Sequence, residues 1–182
     1  SWDAVYEREH PPGFRWVHDS FGTNWRMTEM QAAIGRIQLK RMPEWNSKRR
    51  KNAEAIWEAA RNLPNIRVPT LRCFACNGAC ESARGCIHAA YKCYVFVTGG
   101  EALRNKIMTG INEKGVPCFS GTCSEVYLER AFDNTAIRPL KRLPVAKELG
   151  NTSLAFLCHP TLTSEEIERT CRVLREVASA LC

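Results

Sequence analysis

From Thr28 onward the apolar residues fall into regular periods. Met30, Ile34 and Ile37 mark one stripe at helical spacing. Thr28-Glu29-Met30-Gln31 fits a capping box, in which the Thr28 hydroxyl accepts from the Gln31 amide and the Gln31 side chain returns a bond to Thr28. Pro43 predicts that this helix stops or kinks after Met42 and that a second helix begins at the proline. Trp45, Ala53, Ile56, Trp57, Ala60 and Leu63 give the second helix its apolar face, and Pro64-Asn65 ends it.

Short strands and helices alternate after that. Ile66 to Val68 reads as a short strand, and His88 to Thr98 contains a longer one, since Tyr94, Phe96 and Val95, Val97 suit a sheet buried on both faces. Thr98-Gly99-Gly100-Glu101 reads as a second capping box, opening a helix with Leu103, Ile107, Met108 and Ile111 inward and Gly115 as its C-cap. Val116 to Phe119 predicts a strand, residues around 124–131 a short helix, Pro144 to Leu149 a short helix closed by Gly150, and Ser153 to Leu157 a buried strand. Thr163-Ser164-Glu165-Glu166 is a third capping box, and the last helix carries the stripe Ile167, Cys171, Leu174, Val177 and Leu181. At ~1.5–3 kcal/mol per large apolar side chain buried, that face contributes roughly 8 kcal/mol before chain entropy is subtracted.

This order predicts an α+β fold: a small layered domain with an antiparallel or mixed sheet, preceded by a long helical arm. Residues 1–27 form an irregular N-terminal arm whose scattered aromatics, Trp2, Tyr6, Phe14, Trp16, Phe21 and Trp25, pack on something else. Residues 28–63 are the helical arm, and 64–182 the small domain, with a Cys-rich loop at 73–86.

Composition narrows the class. With 45% hydrophobic and 25% charged residues, 182 residues supply a core for one domain. No apolar run approaches the roughly 20 residues of a spanning helix. Ser1 to His10 carries acids and no apolar stretch, so it is no signal peptide, and without an initiator Met it reads as a cut or processed start. A cytoplasmic protein is the expectation. The net charge of +7 favours an anionic partner, which nucleic acid, a nucleotide-sugar diphosphate or a cofactor phosphate would satisfy. The densest basic run, Lys48-Arg49-Arg50-Lys51, is soon followed by Glu54 and Glu58, as on a solvated helix face.

Ten cysteines are many for such a chain; without a secretory signal reduced thiols are expected, and most of those within apolar periods read as small core residues. Cys73, Cys76, Cys80 and Cys86, with His88 close behind, have enough soft ligands for a tetrahedral zinc. Their spacing fits no common two-knuckle site, and free thiols on an exposed loop are the leading reading, with loop disulfides as another.

The run Phe21-Gly22-Thr23-Asn24-Trp25-Arg26-Met27-Thr28-Glu29-Met30-Gln31-Ala32-Ala33-Ile34-Gly35, followed by Gln38-Leu39, resembles the G-x-N-x-R-M-x-E-x-Q-A-A-x-G…Q-L signature of the DegT/DnrJ/StrS sugar aminotransferases. Leu143-Pro144-Val145-Ala146 and His159-Pro160-Thr161-Leu162-Thr163 sit where that family carries similar runs, and the resemblance covers roughly residues 15 to 180. It implies the small C-terminal domain of a fold-type-I transferase that works as a homodimer with active sites at the subunit interface. In such enzymes a large-domain lysine holds pyridoxal phosphate as a Schiff base. Glutamate then donates nitrogen to a keto group of a nucleotide-linked sugar, in polysaccharide or amino-sugar biosynthesis.

None of Lys40, Lys48, Lys51, Lys92, Lys106, Lys114, Lys141 and Lys147 has the serine- and glycine-flanked setting of the family lysine. The resemblance therefore implies no catalytic residue within this chain, pyridoxal phosphate bound by the full-length dimer, and no activity from the chain alone. Asn24 matches the family asparagine that reaches the neighbouring subunit's cofactor phosphate; ordering the turn before Thr28 is its other reading. Arg26 matches an arginine near the anionic substrate, where a planar fork pairs with phosphate or carboxylate, or else it makes a surface salt bridge. His88 and Tyr91 begin a strand whose counterpart borders the sugar site, against a buried or capping role. His159 fixes a turn. The loop Cys118 to Glu125 departs from the family's histidine-bearing loop, which bears on sugar specificity. Two readings stand beside the enzyme: a basic zinc-binding nucleic-acid module and a non-catalytic regulatory relative.

Overall fold

The computed structural model describes residues 5–9, 16–22, 26–70 and 88–181. In chain order the elements are α1 (Glu29–Ala60), β1 (Ile66–Arg67), β2 (Cys93–Val97), α2 (Gly100–Glu113), β3 (Cys118–Phe119), 3-10 turns at Val126–Leu128 and Arg130–Phe132, α3 (Pro144–Thr152), β4 (Ser153–Phe156) and α4 (Ser164–Leu181). The strands form one sheet in the order β1-β2-β4-β3, antiparallel at every pairing. Cys93 faces Phe156 and Phe96 faces Ser153 across the central pair. The fold is α+β, as the element order predicts.

The first capping box forms as the sequence dictates: Gln31 N–H donates to Thr28 Oγ1 at 3.3 Å, and Thr28 N–H donates to Gln31 Oε1 at 2.9 Å. The third forms likewise between Thr163 and Glu166. Three expectations are corrected. Helix α1 does not stop at Pro43 but continues through it for 32 residues, about 48 Å. Proline removes one donor there, and the Leu39 carbonyl it would have bonded lies on an exposed residue. No capping box opens α2: its N-cap is Gly99, with no side-chain bond, while Thr98 N–H instead pairs with the Asn65 carbonyl at 2.9 Å. Gly150 does not close α3, which ends at Thr152, whose hydroxyl bonds the Glu148 carbonyl. A Cβ at Gly150 would sit 2.4 Å from Ser124 Oγ, so close approach of the 124 loop explains that glycine.

The remaining segments are shorter than expected. β1 and β3 have two residues each, and the region around 124–131 folds as the two 3-10 turns. The core lies where the carboxy-terminal half of α1 and helices α2 and α4 meet one face of the sheet. Ile56, Val95, Val97, Ile107, Ile111, Leu154 and Leu174 are fully buried in it. On α4, Ile167, Cys171, Leu174 and Val177 are buried as the stripe predicts, and Leu181 at the helix end is exposed.

β2 is buried on one face only, against the expectation of two. Cys93, Val95 and Val97 are fully buried, whereas Tyr94 and Phe96 stay half-buried on the opposite face. Burial along β2 therefore follows the two-residue period of a strand rather than a continuous apolar run.

Candidate functional site

The half-covered face of β2 and the chain leading into it form a hollow of about 600 Å³, walled among the described residues by Trp57, His88, Tyr91, Lys92, Tyr94 and Phe96. His88 and Tyr91 thus meet at one site. Arg26 is not part of its lining; it stands at the foot of α1. His88 Nδ1 accepts the Ala90 N–H at 3.0 Å, which leaves Nε2 to carry the proton in the neutral ring. That bond closes a tight turn in which Ala90 takes φ +45°, and the imidazole lies 6.2 Å from the Trp57 ring. Tyr91 is 75% exposed, with the Arg49 guanidinium 5.7 Å from its ring centre.

Tyr94, Phe96, Trp57 and Lys92 are components that the sequence reading did not assign to the site, since the uniformly apolar run of β2 does not mark which face stays open. The Tyr94 and Phe96 rings lie nearly parallel, 6.4 Å apart at 12°, and the Arg67 guanidinium sits 4.4 Å from the Phe96 ring centre. Trp57 Nε1–H donates to the Tyr94 carbonyl at 2.9 Å, which ties the wall of the hollow to α1. The Tyr94 hydroxyl accepts the Thr122 N–H at 3.0 Å and meets Thr122 Oγ1 at 2.8 Å. The loop after β3 is thereby fastened across Tyr94. Gly121 makes that crossing possible: its φ is +95°, and a Cβ there would lie 2.3 Å from the tyrosine ring. Aromatic faces with Lys92, Arg49 and Arg67 nearby suit a ligand with a flat or apolar ring face and an anionic group.

The second candidate region is the amino-terminal half of α1. Met27, Met30, Ile34 and Ile37 are 73%, 76%, 59% and 53% exposed, and the buried residues of α1 begin at Ala53. Arg26 is exposed immediately before this stripe. The basic run is partly neutralised along the helix, since Lys48 pairs with Glu44 at 2.8 Å and Arg50 with Glu54 at 3.2 Å. The Lys48 contact also holds the Glu44 carboxyl below its usual range.

Other sequence candidates have plainer settings. His159 Nδ1 contacts Thr161 Oγ1 at 2.7 Å and accepts the Thr161 N–H at 3.4 Å, the geometry of a turn. Asn24 and Cys73, Cys76, Cys80 and Cys86 lie outside the described residues. Among the described residues no group of three or more His, Cys, Asp or Glu side chains could hold a metal. No described helix is long and apolar enough to cross a membrane.

Lysine placement tests whether a phosphate-bearing pyridine cofactor fits here. Lys48 and Lys114 are paired with Glu44 and Glu176, and Lys92 is the lysine that enters the hollow. Among the described residues that line the hollow, none is an acid that could face a pyridine nitrogen. An exposed guanidinium at the foot of a capped helix does suit a contributed contact to an anionic group. Among the described residues, the cationic side chains of Lys92 and Arg26 have chemistry that fits the anionic group of such a cofactor.

Comparison with known proteins places this geometry in a family. The model of the DegT/DnrJ/EryC1/StrS aminotransferase family matches residues 7–175. A solved aminotransferase from Psychrobacter cryohalolentis superposes with a TM-score of 0.71 at 51% identity, covering 100% of this chain and 46% of that one. The erythromycin biosynthesis sensory transduction protein EryC1 of Saccharopolyspora erythraea is 26% identical over 161 residues, 88% of this chain and 40% of its own length. The dTDP-3-amino-3,4,6-trideoxy-alpha-D-glucose transaminase of Streptomyces venezuelae is 38% identical over 55 residues, 30% of this chain and 14% of its own. This chain therefore spans less than half the length of each of these relatives. The match over residues 7–175 settles kinship: the chain belongs to the DegT/DnrJ/EryC1/StrS aminotransferase family.

Proposed function

We propose that this chain is the carboxy-terminal part of a pyridoxal-phosphate-dependent aminotransferase that moves an amino group from glutamate to a keto sugar nucleotide, within polysaccharide or amino-sugar biosynthesis. The observation that carries the reading is the uncovered amino-terminal half of α1. The apolar side chains of Met27, Met30, Ile34 and Ile37 stand exposed on a surface that the described part of the small domain leaves bare. A helix with half its length unsupported is explained when a second subunit covers it.

In this reading the enzyme is a cytoplasmic homodimer, and each arm contributes to the other subunit's site. Asn24 donates its amide to the cofactor phosphate, adding no charge, and Arg26 offers a planar fork to an anionic substrate group. His88 and Tyr91 border the sugar, with the aromatic hollow excluding water beside it. Pyridoxal phosphate, when bound, supplies the electron sink that makes the carbon–nitrogen exchange possible. The Schiff-base lysine comes from sequence outside this chain, so residues 1–182 alone do not turn over.

The test is release of 2-oxoglutarate from glutamate by the full polypeptide in the presence of keto sugar nucleotides. Asn24→Ala should weaken retention of pyridoxal phosphate by about 10-fold, the scale of one charge-assisted hydrogen bond. Arg26→Gln should raise the KM of the anionic substrate with kcat little changed. A polypeptide that holds no cofactor, or releases no 2-oxoglutarate with any keto sugar nucleotide, contradicts the reading.

A further inference from the structure

Residues 16–22 lie against the 3-10 turns of the same chain, and one residue makes most of the polar contact. The His18 N–H donates to Glu129 Oε2 at 3.0 Å, its ring Nδ1 lies 2.9 Å from Glu129 Oε1, and its carbonyl accepts the Ala131 N–H at 3.1 Å. Phe21 packs edge-on against Phe132 at 5.0 Å, and Asp19 stands 3.9 Å from Arg130. The Glu129 side chain is 3% exposed, whereas the imidazole that meets it is 66% exposed. A buried carboxylate is costly unless its lone pairs are satisfied, and here both oxygens are satisfied by a residue 111 positions earlier.

The platform behind Glu129 is firmly tied. Both Glu125 oxygens accept from the Arg142 guanidinium, which holds that carboxyl below its usual range. Tyr127 donates its hydroxyl hydrogen to Glu125 at 2.6 Å and accepts the Leu143 N–H at 2.9 Å. Glu129 therefore projects from a block that is braced independently of the arm.

We propose that Glu129 is a buried receptor for the arm and a positioning residue for Arg26. From Gly22, the last described residue of this stretch, four residues of chain reach at most about 14 Å, so docking limits where Arg26 can stand. The Thr28 capping box fixes the other side of that residue. Held from both sides, Arg26 is presented with less conformational freedom, which favours binding through preorganisation. The docking stands on the geometry alone; its effect on substrate rests on the function proposed above.

The experiment compares wild type, Glu129→Gln, His18→Leu and His18→Gln in the full polypeptide loaded with pyridoxal phosphate. Glutamine keeps the shape of Glu129 but turns one acceptor into a donor facing the His18 donors. Amide exchange at His18 and Ala131 should then accelerate by about 10-fold or more, with β2 and β4 amides unchanged. The KM of the anionic substrate should rise about 5-fold with kcat within 2-fold, and His18→Gln should recover more of both readouts than His18→Leu. His18→Leu reports from the solvent-exposed side and stays informative if Glu129→Gln does not fold. Unchanged exchange in both Glu129→Gln and His18→Leu overturns the receptor. Accelerated exchange with unchanged KM overturns the positioning role while leaving the aminotransferase reading intact. Loss of cofactor and turnover in wild type as well counts against the function, while exchange still decides the docking.

Discussion

The cysteines show most directly what burial does to single residues. Cys93, Cys118, Cys158 and Cys171 are buried free thiols of the core. Burial pushes the Cys118 thiol up to about 12 and that of Cys93 higher still, because a thiolate there would lose its hydration. The folded state therefore holds the thiol proton more tightly than the unfolded chain. Stability from this source is complete below the ordinary thiol range of about 8.5 and falls as pH rises from there through about 12. A thiol reagent at pH 8, read by mass spectrometry, should leave Cys93, Cys118 and Cys158 unlabelled until denaturant is added; rapid native labelling of any of the three would refute their burial. Residues whose partners are sequence neighbours were legible, as at Thr28–Gln31 and Thr163–Glu166. His18 with Glu129 was not, because 111 residues separate them and neither pattern nor spacing links such a pair. Buried Arg104 escaped for a similar reason: it occupies an inward position of α2 and bonds the Ser153 carbonyl of β4 at 3.3 Å.

Among the elements, α1 departs furthest from sequence expectation. Local rules favour a break at Pro43, yet the residues on both sides remain helical. An interior proline costs a helix about 3 kcal/mol relative to alanine, so Pro43→Ala should strengthen the helix by up to that amount. Because the helix before Pro43 is largely exposed, the gain should appear as slower amide exchange across residues 36–44 rather than as a large rise in overall Tm. Unchanged or faster exchange there would mean that the helix is not continuous through this point. The α2 and α4 faces were legible from periodicity, since Ile107, Ile111, Ile167, Cys171, Leu174 and Val177 are buried. The one-sided burial of β2 was not, because Tyr94 and Phe96 are as apolar as neighbours that face the core. That misjudged face is the one that opens the hollow beside His88 and Tyr91.

For the whole molecule, physics and kinship answer different questions. Burial explains why the carboxy-terminal half of α1, the sheet, α2 and α4 cohere, and the proposed function accounts for the half of α1 left bare by a second subunit that covers it. A surface stripe of Met30, Ile34 and Ile37 is unfavourable in water and becomes favourable when another subunit removes it. The account's central claim is that this arm completes a site in a partner. Mixing two forms of the full polypeptide tests it most directly: one without its Schiff-base lysine, the other carrying Asn24→Ala and Arg26→Gln and assayed at cofactor and substrate concentrations well below its weakened affinities, where it turns over little. If each arm serves the opposite subunit, randomly paired subunits regain about a quarter of wild-type activity, since half the dimers are mixed and one of their two sites is intact. If the mixture stays as inactive as its parts while mixed dimers demonstrably form, each arm serves its own subunit and the claim is wrong.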